Sequence, residues 1–534
     1  MRFFDVNVQI GKWPQNELLF ETAEGLCAEM ERLHIANALV SHTAARYVQP
    51  EAGNNRLFTE IKGYTNMLGV AVLSPLVVME YGGRESLVQY LKDNNTAAVK
   101  LYPNEHNFFL RDWNLADVFD ITDAYGVPVM LDLRQNEIDF AAFYTDVYEL
   151  AKAHPQTPFI LLAVGYRHLR ALFSLLEACP NVYIETSTFI TFRGIEEVVR
   201  HIGSERLLFG TRMPFMEGGV AQGRLLYADI AEADKENIAY KNALRLLSGN
   251  RLLAMPAEPA AAEACDEESI TARALRGECM RDLAAIDMHC HLGPVPEYYF
   301  PRAEIDEMIA DADIVGIEQL VIAPHIFFYD CAEANRQSYE AVQKYPGRVK
   351  AMLVVNPNKP AEAAALFDEY YGLEEFIGVK IHPSGHKMPL TCTAYRDVFE
   401  RVSRLGGFVM SHTWESDARC DSAASEEMLK AYPNVNFILA HACGLSGGMQ
   451  KAVALANKYE NCYLDTCGFE FSDISMEWMM KHVDKRKLFF GSDLPYHDVR
   501  GGIARVLYAG ISDEEKRLVL RENYLAFLAK SKKK

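Results

Sequence analysis

The chain repeats itself at a nearly constant spacing. Equivalent residues lie 280 to 282 positions apart over its whole length: Asp5 with Asp287, Lys100 with Lys380, Asn181 with Asn461, Gly210 with Gly491, and Asn242 with Asn523. A register this steady indicates duplication of one domain. Each copy has roughly 250 residues, which is the usual size of a single α/β barrel. The repeat therefore predicts two domains of the same fold.

Short runs rich in Val, Ile and Leu alternate with longer amphipathic stretches in both copies. This alternation is typical of parallel strands joined by crossover helices. The predicted strands are 2–8, 36–41, 67–73, 97–102, 127–132, 158–163, 182–186 and 206–211 in the first copy, and 284–290, 318–323, 350–355, 377–382, 407–412, 436–441, 462–466 and 487–492 in the second. Eight strand-helix units in each copy predict an α/β fold of two tandem (β/α)8 barrels.

The stretch between the two copies differs from both in composition. Residues 256–263 consist of Ala, Glu and Pro, which predicts a linker, and residues 267–283 are expected to form a helix that leads into the second barrel. The predicted domains are 1–255 and 280–534, with the linker and lead-in helix at 256–279.

Composition excludes several classes of function. A formal net charge of -19 argues against nucleic-acid binding, because no basic surface follows a phosphate backbone. No apolar run approaches the ~18 residues of a membrane span. The 11 cysteines form no CxxC pair, so reduced thiols are expected. Because Met1 runs directly into the first predicted strand, without a leader, we expect a cytoplasmic protein.

The second copy begins with a His-x-His pair. His289 and His291 end its first predicted strand, and residues two apart on a strand point to the same face, so both imidazoles can bind one metal ion. Further candidates end other strands: Lys380 and His382 the fourth, His412 the fifth, His441 the sixth and Asp493 the eighth. The carboxyl ends of barrel strands converge on one face. This arrangement predicts a metal centre in the second barrel.

These motifs resemble the metal-dependent amidohydrolase superfamily, in particular the branch that includes aminocarboxymuconate-semialdehyde decarboxylase. The resemblance implies that a divalent ion, zinc above all, is held by His289, His291, His412 and Asp493. It also implies two catalytic residues: Asp493 would accept a proton from water, and His441 would orient that water, bind substrate or bind a second ion.

Several roles stay open at this point. Lys380, His441 and His382 could hold a second ion, Lys380 as a carboxylated bridge, or could contact substrate. His497 and Trp414 follow strand ends and are candidates for substrate binding, whereas simple packing is the alternative for Trp414. The sequence does not choose between one ion and two.

Three functions are compatible with this site. The first is a hydrolase that cleaves an amide, ester or lactone-like bond of a small molecule through a metal-activated water. The second is a non-oxidative decarboxylase of an aromatic or unsaturated acid that uses the same site. The third is a binding or regulatory pseudoenzyme without catalysis.

The first copy lacks the ligand set. At the positions of His289, His291, His412, His441 and Asp493 it has Asn7, Gln9, Asp132, Ala163 and Arg212. We therefore expect a degenerate, metal-free barrel, because an arginine repels a divalent cation. It would serve either as a stabilising or oligomerising domain, as in a homo-oligomer, or as half of an intrachain pseudo-dimer that offers Arg46, Arg134 or Arg193 to the second site.

Overall fold

A computed structural model of the chain contains two compact units, Met1–Asp266 and Glu267–Lys534. The structure describes residues 1–15, 17–135, 138–256, 268–295, 299, 302–468 and 475–533. Each unit has one sheet of eight strands that follow one another in chain order, and every neighbouring pair is parallel. The prediction of two tandem (β/α)8 barrels is confirmed.

The first unit alternates strands and helices along the chain. Its strands are β1 Phe3–Ile10, β2 Ile35–His42, β3 Met67–Val72, β4 Ala98–Leu101, β5 Val129–Asp132, β6 Phe159–Leu162, β7 Val182–Glu185 and β8 Leu207–Leu208. Its α-helices are α1 Ala23–Arg32, α2 Thr43–Tyr47, α3 Pro50–Glu60, α4 Val77–Glu80, α5 Arg84–Asp93, α6 Asp112–Tyr125, α7 Phe140–Ala153, α8 Leu169–Ala178, α9 Gly194–Ile202, α10 Gly218–Leu226, α11 Glu232–Glu236 and α12 Asn242–Leu247.

The second unit repeats this pattern. Its strands are β9 Ala285–Cys290, β10 Ile317–Ile322, β11 Val349–Val354, β12 Phe376–Ile381, β13 Phe408–His412, β14 Asn436–Ala440, β15 Cys462–Asp465 and β16 Leu488–Phe489. Its α-helices are α13 Ile270–Leu275, α14 Ile305–Val315, α15 Cys331–Lys344, α16 Pro360–Tyr370, α17 Pro383–His386, α18 Thr393–Leu405, α19 Ser422–Ala431, α20 Ser446–Lys458, α21 Met476–His482, α22 Val499–Leu507, α23 Asp513–Arg517 and α24 Asn523–Lys530.

Backbone hydrogen bonds join the last strand of each barrel to the first. In the second unit the amide of Met288 donates to Phe490 at 3.1 Å, and the amide of Asp493 donates to His289 at 2.9 Å. In the first unit the amide of Arg212 donates to Asn7, also at 2.9 Å. These bonds hold the residue after the eighth strand beside the end of the first strand, where candidate ligands lie.

Most predicted strands agree with the observed ones to within two residues. The exceptions are β8 and β16, which end three residues before the predicted 211 and 492. The chain turns out of the sheet there, and the next residues include Arg212 and Asp493, both with positive φ (62° and 69°). An apolar run in the sequence does not reveal this turn.

The prediction of one helix over 267–283 was wrong. Within that stretch the structure has α13 and then a short 3-10 turn, Arg281–Leu283, with Gly277 at a φ of 73° between them. A residue in this left-handed region ends a helix. Residues 257–263 of the predicted linker lie outside the described residues.

Two other expectations concern the cysteines and membrane-spanning segments. The ten cysteines that the structure describes are all free thiols, as expected. Among the helices of the described chain, none is both long enough and apolar enough to cross a bilayer.

Gly53 provides a test of packing in the first barrel. It lies on α3, and a Cβ added to it would lie 2.0 Å from the backbone nitrogen of Ala45 on α2. We therefore expect Gly53→Ala to lower the free energy of unfolding by about 1–3 kcal/mol in denaturant titrations. Gly63→Ala is the matched control, because nothing lies within 4 Å of its added Cβ. Equal stability of the two variants would contradict the packing of α3 on α2.

Candidate metal centre

The His-x-His pair lies at the end of β9 and is buried. His289 and His291 are 0% and 4% exposed, and their ring centres are 5.3 Å apart. Asp493 follows β16 and lies next to both rings. Its Oδ1 is 3.1 Å from Nε2 of His291 and 3.6 Å from Nε2 of His289. The first and last strands therefore bring three of the four predicted metal ligands together.

Hydrogen bonds fix which nitrogen of each imidazole faces this cluster. Nδ1 of His289 is 2.8 Å from Oδ2 of Asp465, and Nδ1 of His291 is 2.8 Å from the carbonyl oxygen of Ala323. Both partners are acceptors, so each Nδ1 carries the hydrogen. In the neutral ring the other nitrogen, Nε2, then keeps its lone pair. Two bare Nε2 atoms thus face the Asp493 carboxylate, an arrangement that suits a cation between them.

A tight group of four potential ligands includes one residue that sequence reasoning missed. Ligand atoms of His289, His441, Cys467 and Asp493 all lie within 4.8 Å of one another, and all four residues are buried. Cys467 follows β15, the seventh strand. From the sequence the cysteines were expected only to be reduced thiols, and no candidate was predicted at the end of this strand. A polar pair, Asp465 and Cys467, at the end of a barrel strand was the available signal.

The predicted ligand His412 lies beside this group, although it does not belong to it. Its ring centre is 4.7 Å from that of His441 and 4.0 Å from that of His382, on which it stacks with an interplanar angle of 8°. Trp414 is half-buried, and its ring centre is 6.3 Å from those of His412 and His441. These four aromatic side chains form one wall of the site.

Burial sets the charge of the imidazoles. It lowers the pKa of His441 to about 3 and holds the pKa of His289 and His412 well below the usual value. Burial would raise the pKa of Asp493, but its contact with Nε2 of His291 and the other nearby imidazoles hold it well below its usual range. At neutral pH the cluster therefore combines neutral imidazoles with an ionised carboxylate.

Lys380 ends β12 and is 1% exposed. Its Nζ is 2.5 Å from Nε2 of His289 and 3.3 Å from Sδ of Met410. Burial lowers the pKa of this amine. A deprotonated or readily deprotonated amine beside a candidate ligand is what both open roles of Lys380 require.

Two buried carboxylates support the cluster. Asp465 holds Nδ1 of His289 with one oxygen and accepts from the amide of His441 at 2.8 Å with the other. Asp287 accepts from the amides of His289 at 3.2 Å and Ser492 at 3.0 Å, so it links β9 to the turn that carries Asp493. Asp465 was not among the predicted site residues.

The remaining candidate, His497, lies in the turn that follows Asp493. It is 4% exposed, and its amide donates to the carbonyl of Asp493 at 3.3 Å.

His325 is another residue of this site that sequence reasoning missed. It is buried, stacks on His291 with ring centres 4.5 Å apart, and packs edge-on to Tyr496 at 4.2 Å.

The first barrel has ion pairs at the equivalent position. Asp132, at the position of His412, lies 3.3 Å from Nζ of Lys100 and 3.1 Å from Nη1 of Arg212. Asn7, at the position of His289, donates to Glu185 at 3.1 Å. Arg46 pairs with Glu105 of the same unit at 2.5 Å and is 7% exposed. If Arg46, and not Arg134 or Arg193, were the arginine offered to the second barrel, it would have to leave this buried ion pair.

Comparison with known proteins identifies matches over most of the chain. A family model described as "Amidohydrolase" matches residues 22–249 and 286–528. No curated protein matches the chain significantly. Solved structures similar to it include an uncharacterised TIM-barrel protein from Bordetella bronchiseptica (15% identity, 47% of this chain and 99% of that chain, TM-score 0.39).

Two further similar structures are a putative amidohydrolase from Staphylococcus aureus and a 5-carboxyvanillate decarboxylase from Novosphingobium aromaticivorans complexed with manganese and 4-hydroxy-3-methoxy-5-nitrobenzoic acid. The first is 16% identical over 46% of this chain and 100% of that chain, with a TM-score of 0.38. The second is 15% identical over 42% of this chain and 79% of that chain, with a TM-score of 0.34.

Gly491 tests the packing around His289. A Cβ added to Gly491 would lie 2.8 Å from Cβ of His289, so the imidazole would have to move. We expect Gly491→Ala to weaken zinc binding about tenfold or more, measured by competition with a chromophoric chelator, because ligand position controls metal affinity. Gly447→Ala is the control, since nothing lies within 4 Å of its added Cβ. Equal affinities in the two variants would show that His289 is not a ligand.

Proposed function

Because this chain belongs to the amidohydrolase family, we propose that its second barrel is a metal-dependent hydrolase of an amide, ester or lactone-like bond in a small molecule. The observation that carries the proposal is the convergence of buried ligand atoms from β9 and from the segments after β14, β15 and β16. Such a cluster would cost folding energy if it held nothing, since buried lone pairs and a buried carboxylate need partners.

The donor set fits a divalent ion. Zn²⁺ takes neutral imidazole nitrogen, carboxylate oxygen and thiolate sulfur at about 2.0–2.3 Å, so four ligands around one ion lie about 3–4.5 Å apart. The ligand atoms of the four-residue cluster, all within 4.8 Å of one another, are compatible with that spacing. Zinc is proposed because histidine, aspartate and cysteine together suit it better than the oxygen ligands that Mg²⁺ and Ca²⁺ prefer.

We assign His289, His291 and Asp493 as three ligands. Two arguments give different residues for the fourth ligand. The family resemblance implies His412, whereas the short distances between ligand atoms favour His441 or Cys467. If His412 is the ligand, His441 stays free to orient water or substrate. A second ion would require Lys380, either carboxylated or displaced from Nε2 of His289.

Each residue of the site would have its own role in hydrolysis. A bound divalent ion supplies Lewis-acid chemistry, which lowers the pKa of water and polarises a carbonyl. Asp493 is ionised and buried, so it can accept the proton from water and pass it to the leaving group. His441 is neutral and donates or accepts a hydrogen bond to the reacting group. Trp414, His382 and His497 would surround the substrate.

The second candidate is a carboxy-lyase that acts on an aromatic or unsaturated acid. Phe327 and Phe328 favour it, because their ring centres lie 5.9 and 4.9 Å from that of His382 and could hold a planar substrate. Such an enzyme would also use an arginine for the substrate carboxylate. Arg336 on α15 pairs with Glu333 and Glu340 at the surface, so no described contact links it to the site. We therefore rank hydrolysis first.

We propose that the first barrel binds no metal, since Arg212 replaces the ligand Asp493 and both Arg212 and Lys100 form ion pairs with Asp132. We also propose that it serves either as a stabilising or oligomerising domain or as half of an intrachain pseudo-dimer. A pseudoenzyme is the remaining alternative, and metal analysis distinguishes it from an enzyme.

Metal content tests the ligand assignment. We expect about one zinc ion per purified chain, and its loss in His289→Ala, because removing one of four ligands weakens binding strongly. Asn7→Ala is the matched control at the same position of the first barrel and should keep the ion. His412→Ala and Cys467→Ser, compared by elemental analysis, identify the fourth ligand. A metal-free native protein would support the pseudoenzyme.

The fate of the substrate carbon distinguishes the two reactions. For a panel of lactones, esters, amides and aromatic acids, we expect turnover with incorporation of oxygen from labelled water and without release of carbon dioxide. Asp493→Asn should lower kcat by a factor of about 10²–10⁴, because an amide cannot accept the proton. Release of carbon dioxide from an aromatic acid, with no oxygen incorporated, would replace the hydrolase with the carboxy-lyase.

A further inference from the structure

The first barrel has a buried cluster of charged and polar groups where the second barrel has its candidate metal centre. We propose that this cluster is a binding site for a small molecule that carries a carboxylate on an aromatic or otherwise planar frame. The site lies entirely within the first unit, and its occupancy does not depend on the reaction of the second barrel.

Arg212 is the central cationic group of this cluster. It occupies the position of Asp493 and has almost the same backbone conformation, with a φ of 62° against 69°. A left-handed conformation is unfavourable for a residue other than glycine and usually marks a functional position. Arg212 is 8% exposed, and its Nη1 lies 3.1 and 3.2 Å from the two oxygens of Asp132. The guanidinium is therefore held inside the barrel mouth.

Three cationic side chains surround the single carboxylate of Asp132. Arg212, Lys100 and Arg46 all act on it, and among the described ion pairs of these three cations only that of Arg46 involves a second carboxylate, Glu105. Glu185 is another buried carboxylate nearby, and it accepts hydrogen bonds from uncharged donors of Asn7, Ala163 and Ser187. Burial, together with the cations Arg212 and Arg46, lowers the pKa of Lys100 to about 8. An added anion would relieve this repulsion.

A buried amide beside the cations has no partner. Gln9 replaces His291 and is 1% exposed, yet neither its Oε1 nor its Nε2 has a hydrogen bond within the described chain. Residues two apart on β1 share a face, and Asn7 on that face contacts Glu185 at the end of β7, so Gln9 also faces the interior. An unsatisfied buried amide costs about 1–3 kcal/mol. A carboxylate oxygen would satisfy the Nε2 donor.

An aromatic wall lies next to these polar groups. The Trp13 ring centre is 5.2 Å from that of Tyr47 and 4.7 Å from that of Phe215. The Arg212 guanidinium lies 5.9 Å from the Phe215 ring centre, and the Arg46 guanidinium lies 5.0 Å from that of Tyr47. Rings and guanidinium planes arranged in this way suit a flat ligand with one anionic end. Tyr47 is 41% exposed, so the wall reaches solvent and gives access.

A purely structural replacement of the metal centre explains less. Ion pairs among Arg212, Lys100 and Asp132 would be enough to fill the space left by the ion. They do not explain why Gln9 is buried with both amide atoms unused, or why the indole nitrogen of Trp13 is buried without a hydrogen bond among the described residues. Each group has an unused donor, and Gln9 also has an unused acceptor. Unused buried donors near the Arg212 and Lys100 cations point to a ligand with an anionic acceptor group.

Isothermal titration of the full chain with benzoate and with acetate tests the proposal. The protein is first stripped of metal with ortho-phenanthroline, which carries no carboxylate, and then dialysed. We expect saturable binding of one benzoate per chain and weaker binding of acetate, which lacks the ring. Gln9→Glu should weaken benzoate binding at least tenfold, because it places a carboxylate beside the ligand. Gln156→Glu, an exposed change of equal charge in the same barrel, should have no effect.

Further variants keep the test decisive. Arg212→Met should also weaken binding at least tenfold, whereas Arg212→Lys should retain most of it, and circular dichroism identifies any variant that fails to fold. Absence of binding by both carboxylates overturns the proposal. So does benzoate binding that survives Gln9→Glu and Arg212→Met but is lost in His289→Ala, which would move the ligand to the second barrel. Binding of inorganic phosphate in place of both carboxylates would overturn the assigned ligand class.

Discussion

The backbone hydrogen bond between the residue after the eighth strand and the first strand is the contact on which both sites depend. The amide of Asp493 donates to His289, and the amide of Arg212 donates to Asn7, at the same distance of 2.9 Å. Asp287 and Asp5 reinforce it, since each accepts from backbone amides on both sides of the junction. Because this junction is the same in both barrels, the side chain after the eighth strand, Asp493 or Arg212, determines which charge lies beside the first strand.

The two copies illustrate how one scaffold supports opposite electrostatics. In the second barrel a carboxylate and neutral imidazoles converge. In the first barrel Arg212 and Lys100 converge on Asp132 and form ion pairs with it. The carboxylate at the end of the seventh strand has the same task in each: Asp465 orients His289, and Glu185 orients Asn7. The carboxylate that positions the neighbouring side chain is therefore kept in both barrels, although the side chain that it positions differs.

Much of the fold could be predicted from the sequence because strands of a parallel barrel are buried on both faces and appear as continuous apolar runs. The predictions failed where backbone conformation departs from that pattern. The ends of β8 and β16 turn away before the apolar run ends, and Gly277 breaks the expected lead-in helix. Neither departure has a periodicity that a sequence pattern could reveal.

The candidate site was predictable in part. The pairing of His289, His291 and Asp493 follows from strand ends, which converge in any barrel of this kind. Cys467 and Asp465 were missed because a cysteine in an apolar setting is usually a core residue, and an aspartate at a strand end is usually a cap. The relative depth of His412 and His441 depends on side-chain rotamers and on the positive φ of His441, 65°, which no spacing rule gives.

The left-handed backbone at Arg212 has a consequence for how the first barrel could change in the laboratory or over time. The conformation that presents Asp493 is already present there, as is the positive φ of Ala163 that matches His441. Exchanging the side chains at these two positions would thus require no change of backbone conformation there. The first barrel is a scaffold on which the side chains of the second could be placed one position at a time.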